Sequence, residues 1–428
     1  LRKNPNVDYV EPDLVLNAVA QTLSTGVDRI DADQNSTANI DGSDDRVDAD
    51  VAILDSGIDP THPDLNVAGG THFYTGPTGP PRQRGSYQDG NFTDDNGHGS
   101  HVAGTVGALD NGIGVVGVAP ACALYALRVL DDAGFGDASD LIAALQWAVD
   151  EGIQVANLSL GWDRDPGESV RAAFDKAEDA GLVIVAAACN NGNPPGRGDN
   201  VCYPALYDSV IAVSATDSSD QRATFSSTGE QVELAAPGAV VFSTWNDDTG
   251  YLAPDPVCRT EEGIQACYKY GSGTSMASPH VAGVAALILA ANPGWSNDQV
   301  RDQLRATADD LGDAGWDPQY GYGLVDAAEA AAAPTNPAPT VSIISPTDGS
   351  SFDPSETILF EGAASDAEDG DLTGSLVWTS SVDSQIGTGG SFSSGSLSDG
   401  THIITASVTD SGSQTGGDSV SITVGASP

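Results

Sequence analysis

From about residue 46 onward, short apolar runs alternate with stretches of helical periodicity. "VDADVAILD" (47–55), "ALYALRVL" (123–130), "GIQVANLSL" (152–160), "GLVIVAAA" (181–188) and "SVIAVSA" (209–215) are continuous enough to predict strands buried on both faces. Between them, "SDLIAALQWAVDEG" (139–152) and "ESVRAAFDKAEDAG" (168–181) repeat apolar residues at helical spacing and end in Gly, a common helix stop. This alternation predicts an α/β domain built on a mainly parallel sheet. The longest apolar run, "VAGVAALILAA" (281–291), is shorter than the roughly 20 residues that span a bilayer, and predicts a buried helix.

The pattern changes at "AAAPTNPAPT" (331–340), where closely spaced prolines stop helix and sheet alike. Residues 334–340 are the expected linker. Beyond it, residues 341–428 are rich in Ser, Thr, Gly and Asp, and "HIITASVTD" (Ile404, Ala406, Val408) and "SVSITV" (Val420, Ile422, Val424) alternate at strand period. A small antiparallel β-sandwich with Trp378 in its core is expected there.

Charge narrows the function classes. With 61 acidic against 16 basic residues the formal net charge is -45, which repels phosphates and anionic lipid heads, so neither nucleic acid nor a membrane surface is an expected partner. Only Lys3, Lys176 and Lys269 are lysines. An acid-rich, lysine-poor surface stays hydrated in brine and suggests a saline habitat. Of the five cysteines, Cys258 and Cys267 flank the short polar stretch "CRTEEGIQAC", which suits a local disulfide and an oxidising compartment. Cys189 with Cys202 is a second candidate pair, leaving Cys122 as a buried thiol.

"GTSMASPH" (273–280) precedes the apolar helix. The first free N–H groups of that helix point at Ser275, and its dipole favours negative charge there. Pro279 has no N–H, so the Ser275 carbonyl lacks its usual helical partner. His280 does not serve as the base for Ser275, because five residues along a helix is about 500° of rotation and about 7.5 Å of rise. His98, between two glycines in "DDNGHGSHVAGTVGA", is the better placed imidazole. A metal pair with His101, one turn on, is the rival reading, although no HEXXH-like glutamate accompanies it. An imidazole that accepts a proton needs a carboxylate on its other nitrogen. Asp55, at the carboxyl end of a predicted strand, is in the right place for one; the alternative is a turn cap through Ser56 and Gly57.

"AILDSGIDPTHPDL", "NGHGSHVAGTVGA" and "GTSMASPHVAGVAAL" together resemble the three signature segments of the subtilisin-like serine proteases, in that family's order Asp, His, Ser. The likeness runs from about residue 20 to 333. It implies a subtilisin-like three-layer catalytic domain and a secreted serine endopeptidase, active on polypeptides as a monomer. Asp55, His98 and Ser275 would be its triad, and His101 and His280 helix-packing residues. In "VIVAAACNNGN" either Asn190 or Asn191 offers an amide for the oxyanion, and the family pattern favours Asn190. "NLSLGW" (Ser159, Leu160, Gly161) and Gly134, Phe135 and Gly136 resemble the two sides of a substrate groove. Cys189 stands where relatives carry glycine at the pocket for the residue before the scissile bond, and the added bulk implies small or medium side chains there.

"ALDNGIGVVGVAP" resembles the family's calcium loop. The implied ligands are the Asn111 side chain and the carbonyls of Leu109, Ile113 and Val115, with Asp64 and Gln21 completing the shell. Residues 1–19 look like the end of an inhibitory propeptide, with cleavage near Val19 and Ala20, and an export signal is expected to precede them. The C-terminal part resembles immunoglobulin-like or PKD-like modules, and its "SDAEDGDLT" is either a calcium loop or a solvated acidic turn. Two other readings compete with the broad protease: an inactive adhesion protein on a protease scaffold, and a hydrolase restricted to one maturation target.

Overall fold

The computed structural model describes residues 21–75, 86–192, 198–246, 257–261, 264–330, 338–366, 369–411 and 414–425. The proposed propeptide remnant and most of the proposed linker lie outside them. The chain divides into two compact units, residues 1–333 and 334–428.

The first unit is α/β. Its eight-stranded sheet contains β1 (Asp50–Asp55), β2 (Val67–Thr75), β3 (Ser86–Asp89), β4 (Ala123–Arg128), β5 (Val155–Leu158), β6 (Val183–Ala187), β7 (Ile211–Thr216) and β8 (Val232–Pro237), in the order β8-β7-β6-β5-β1-β4-β2-β3. Every neighbouring pair is parallel except β2 with the edge strand β3. Alternation along β1 explains the layers. Val51 and Ile53 face one core with helices α1 (His98–Gly107) and α4 (Thr274–Ala291), while Ala52 and Leu54 face another with α2 (Ala138–Asp150) and α3 (Glu168–Asp179). Each fully buried Leu or Ile contributes about 1.5–3 kcal/mol, and truncating Leu54 to Ala would cost about 2–5 kcal/mol.

Helix α4 is long and apolar enough to cross a membrane by length and composition, but 83% of it is buried inside the fold. Its apolar character is that of a core helix. The chain crosses to both sides of β1, so the carboxyl end of β1 opens on the crevice where doubly wound sheets bind ligands. Asp55 ends that strand.

One element departs from the sequence reading. The polar stretch between Cys258 and Cys267 is not simply a loop: Val257–Glu261 (β10) and Ile264–Gly271 (β11) form a hairpin in which the two cysteines are direct cross-strand partners and disulfide-bonded. β11 also pairs with β9 (Val241–Trp245). Cys189 and Cys202 form the second disulfide, and Cys122 is free, with burial pushing its thiol up to about 12.

The second unit is all-β, with a four-stranded and a five-stranded sheet enclosing Trp378, Phe360, Ile404, Ala406 and Ile422. It is not wholly antiparallel, because Ser350–Phe352 pairs in parallel with the last strand. Its first strand starts at Thr340, inside the segment expected to be linker. In the acidic turn, Asp369 accepts hydrogen bonds from the Ser411 N–H and hydroxyl, tying the loop to its neighbour.

Candidate active site

Three polar side chains from two upstream segments, the turn after β1 and the loop before α1, build the start of α1. His98 N donates to Asn96 Oδ1 (3.2 Å), Gly99 N to Ser56 Oγ (3.0 Å) and Ser100 N to Asp94 Oδ2 (2.8 Å). Those are the first-turn donors that a helix leaves without internal partners. Asp94 also accepts from Ser56 Oγ (2.9 Å), Asn96 N (2.9 Å) and Gly97 N (2.8 Å). Burial pushes this carboxyl up, opposed by those hydrogen bonds. The sequence reading passed over Asp94, although its place three residues before a Gly-His helix start is a capping signal.

This frame aims His98 at β1. His98 Nδ1 lies 2.8 Å from Asp55 Oδ1 and 3.0 Å from Oδ2. Asp55 is fully buried, and the His98 side chain is 24% exposed. With the carboxylate on Nδ1, the proton belongs there and Nε2 is left as the acceptor. Burial disfavours the imidazolium, but the charge and hydrogen bond of Asp55, with the charge of Asp94, raise the His98 pKa above its ordinary 6.5. His101 belongs to no metal pair: its Nε2 faces the carbonyls of Val241 and Lys269, at 3.2 and 3.0 Å, inside the core.

Ser275 lies in the first turn of α4. Its carbonyl, deprived of a helical partner by Pro279, accepts from Ser159 Oγ (2.8 Å), while Ser275 Oγ donates to the Ser159 carbonyl (3.3 Å) rather than to His98. Ser159 is held in turn by Asn157 Nδ2 (3.1 Å), whose Oδ1 accepts from Ser278 Oγ (2.7 Å). Ser159 and His98 line the same cleft of about 440 Å³, together with Gly134, Phe135, Gly136, Leu160 and Gly161. Phe135 leaves 74% of its surface in solvent beside it.

Asn190 follows β6. Its Oδ1 accepts from Thr274 N (2.9 Å) and Thr274 Oγ1 (3.2 Å), which leaves Nδ2 as the outward donor. A Cβ on Gly273 would fall 3.3 Å from Asn190 Nδ2 and 3.6 Å from Ser275 N. Glycine thus keeps open a space flanked by two N–H donors. The rival Asn191 is turned away, donating to Asp163 and to the Asn200 carbonyl.

The residues of the expected calcium loop also converge. Asp64 is buried and accepts from Asn111 Nδ2 (3.0 Å), Val115 N (3.0 Å) and Tyr268 Oη (3.1 Å), while Gln21 Nε2 donates to the Leu109 and Val115 carbonyls (2.7 and 3.3 Å). Ile113 N donates to Asn111 Oδ1 (2.9 Å), which keeps the loop closed. Burial pushes the Asp64 carboxyl up to about 8, and no ion pair neutralises it among the described residues. An all-oxygen set of one carboxylate, two amides and loop carbonyls fits a hard cation. Tyr268, unnoticed in the sequence reading, comes from the disulfide-bonded hairpin.

The Subtilase family (Peptidase_S8) matches residues 48–323. The chain belongs to the subtilase family. It is 43% identical over 331 residues to Subtilisin E of Bacillus subtilis (strain 168), covering 77% of each chain. It is 43% identical over 312 residues to Subtilisin of Bacillus pumilus, covering 73% of this chain and 100% of that one. M-protease of Shouchella clausii (strain KSM-K16) is 41% identical over 327 residues, covering 76% of this chain and 74% of its own. This subtilase is accordingly a serine-type endopeptidase, with an added all-β unit after its catalytic domain.

Proposed function

We propose that this subtilase hydrolyses polypeptides outside the cell through Asp55, His98 and Ser275, by way of an acyl-enzyme. The observation that carries the reading is the contact of His98 Nδ1 with both oxygens of buried Asp55. A rotation of the Ser275 side chain transfers its O–H from the Ser159 carbonyl to His98 Nε2. Ser275 Oγ then attacks the scissile carbonyl while its proton passes to Nε2, and Asp55 stabilises the imidazolium. Asn190 Nδ2 and Ser275 N receive the developing oxyanion. As the peptide C–N bond breaks, His98 returns the proton to the departing amine. Water, deprotonated by the same Nε2, hydrolyses the acyl-Ser275 ester.

The substrate backbone is held as an added strand between Ser159, Leu160 and Gly161 on one side and Gly134, Phe135 and Gly136 on the other. Calcium is structural: Gln21, Asp64 and Asn111 with the carbonyls of Leu109, Ile113 and Val115 would hold it, and it would contribute rigidity rather than chemistry. Residues 1–19 act as the end of an inhibitory propeptide, and the mature enzyme is a monomer. Casein hydrolysis that is abolished both by a serine-directed sulfonyl fluoride and by Ser275→Ala tests the reading. Hydrolysis that survives both would sink it.

A further inference from the structure

Asn190 hangs from a backbone that a side chain rarely adopts. Cys189, immediately before it, has φ +80°, in the left-handed region where glycine is at ease and a residue with a Cβ is not. Its carbonyl accepts a hydrogen bond from Ser227 N (2.9 Å), and its Sγ is bonded to Cys202. Cys202 is buried and precedes Tyr203, which exchanges two backbone hydrogen bonds with Trp162 (2.7 and 3.0 Å). Trp162 lines the cleft. One covalent bond therefore runs from the residue before Asn190 to Cys202, whose neighbour Tyr203 is hydrogen-bonded to the cleft wall.

The same sulfurs shape that wall. A Cβ on Gly161 would fall 2.5 Å from Cys202 Sγ and 3.0 Å from Cys189 Sγ. Both sulfurs thus press against Gly161 of the segment proposed to bind substrate, in space that side chains smaller than cysteine would leave open.

We propose that the Cys189–Cys202 disulfide is a positioning element for the Asn190 amide, and that its two sulfurs form the wall restricting the substrate pocket to small or medium side chains. The inference rests on the peptidase mechanism above. An oxyanion donor acts only when held within about 0.5 Å of its working position. Thr274 fixes the Asn190 side chain through Oδ1 alone, so the direction of Nδ2 depends on the backbone at 189, which the cross-link holds left-handed. Without the cross-link, an alanine at 189 relaxes toward negative φ and carries Asn190 with it, whereas a glycine stays.

The test compares the wild type with Cys189→Ala/Cys202→Ala and Cys189→Gly/Cys202→Ala, each with and without Asn190→Ala, on matched peptide anilides carrying Ala or Phe before the scissile bond. Complete removal of one oxyanion donor costs about 10²–10³ in kcat, a figure that itself comes from a protease of this family. The double-alanine variant should lose about tenfold in kcat on the Ala substrate with KM within about twofold, and the glycine variant should recover most of it. In the Asn190→Ala background both losses should vanish. Both variants should raise the Phe-to-Ala ratio of kcat/KM by about tenfold, the lower end of the discrimination a single methylene group provides. An equal kcat loss with and without Asn190 would overturn the positioning role. An unchanged Phe-to-Ala ratio would overturn the wall. If the double-alanine variant fails to fold, the glycine variant, free of strain at φ +80°, still reports the ratio, and reducing the disulfide in the wild type and in Asn190→Ala reports the positioning role: a kcat loss confined to the wild type supports it, and an equal loss or none overturns it. A wild type that cleaves neither anilide would sink the peptidase mechanism first, a result distinct from either.

Discussion

The indole of Trp245 fills the space that a side chain at Gly97 would need: a Cβ there would fall 2.2 Å from Trp245 Cε2. Trp245 ends β9, which grips α1 through Ser243 Oγ to the His101 carbonyl (2.8 Å) and Thr244 Oγ1 to the Ser100 carbonyl (2.6 Å). Asn246 Nδ2 adds a bond to the Asp94 carbonyl (3.1 Å). Trp245 is also the cross-strand partner of Cys267. The residue before the proposed general base is thus wedged by a strand some 150 positions away in sequence, braced by the stapled hairpin.

Gly97→Ala should therefore damage stability and turnover together. Gly97 has φ +100°, so alanine meets left-handed strain as well as the indole, for a combined cost of about 2–4 kcal/mol. Urea unfolding measures the first effect, and kcat/KM, expected to fall at least about 100-fold, the second. A variant with wild-type values would show that the wedge does not set His98.

The acid limb of the kcat/KM profile reports His98. Because the Asp55 charge raises its pKa, the limb should have its midpoint above 6.5. In Asp55→Asn only burial and the weaker field of Asp94 remain, so the midpoint should move down while the rate falls by about 10⁴. A limb that stays in place would mean that another group titrates.

Much of this was legible in the sequence because it is local. Continuous apolar runs announced the parallel strands, and Asp55, His98 and Ser275 sit in short segments that their local residues alone single out. Pro279 even indicated that the Ser275 carbonyl needed an outside partner, which proved to be the Ser159 hydroxyl. What escaped depends on distant segments meeting. Trp245 against Gly97, Tyr268 on Asp64 and the parallel pairing of Ser350–Phe352 have no periodicity to betray them. The hairpin around Cys258 and Cys267 carries a polar, charged stretch between its cysteines, and the register that pairs Cys258 with Cys267 has no apolar alternation to announce it.

Two buried histidines should make the catalytic unit sensitive to acid. Burial lowers His101 and His280 to about 4, with the charge of His98 adding to the shift of His101. A histidine whose folded pKa lies below its unfolded 6.5 contributes stability that is complete above pH 6.5 and lost as pH falls toward 4, about 3 kcal/mol each. His98, Asp64 and Asp94, all shifted upward, have the opposite sign: their contributions are present at low pH and lost as pH rises through their folded values. The histidine contribution is therefore read as a difference: below pH 6.5 the pH slope of the urea midpoint for His280→Asn should differ from that of the wild type by about one proton, the wild type losing more stability toward pH 4. An unchanged slope would remove His280 from the account.

Self-repulsion among charges summing to -45 opposes the compact state. Molar salt shortens the screening length to about 3 Å, so the unfolding temperature in 2 M KCl should exceed that in 0.1 M KCl, an order a thermal scan checks directly. The reverse order would count against a brine-adapted surface.

Calcium binding can be separated from catalysis by thermal stability. Asp64 is ionised in the protein only at a cost, since burial opposes its charge and its partners Asn111, Val115 and Tyr268 are neutral donors. A divalent cation would supply the missing countercharge, and the amides of Gln21 and Asn111 can turn their oxygens inward to join the loop carbonyls. A ligand bound to the folded state alone at 100 times its Kd stabilises by about 2.7 kcal/mol, which for a unit of this size is about 5 °C. Millimolar calcium should therefore raise the unfolding temperature over EDTA by about that much. Asp64→Asn should abolish the difference, and Tyr268→Phe should shrink it by loosening the carboxylate. Equal unfolding temperatures in calcium and EDTA would show that this converging set holds no ion.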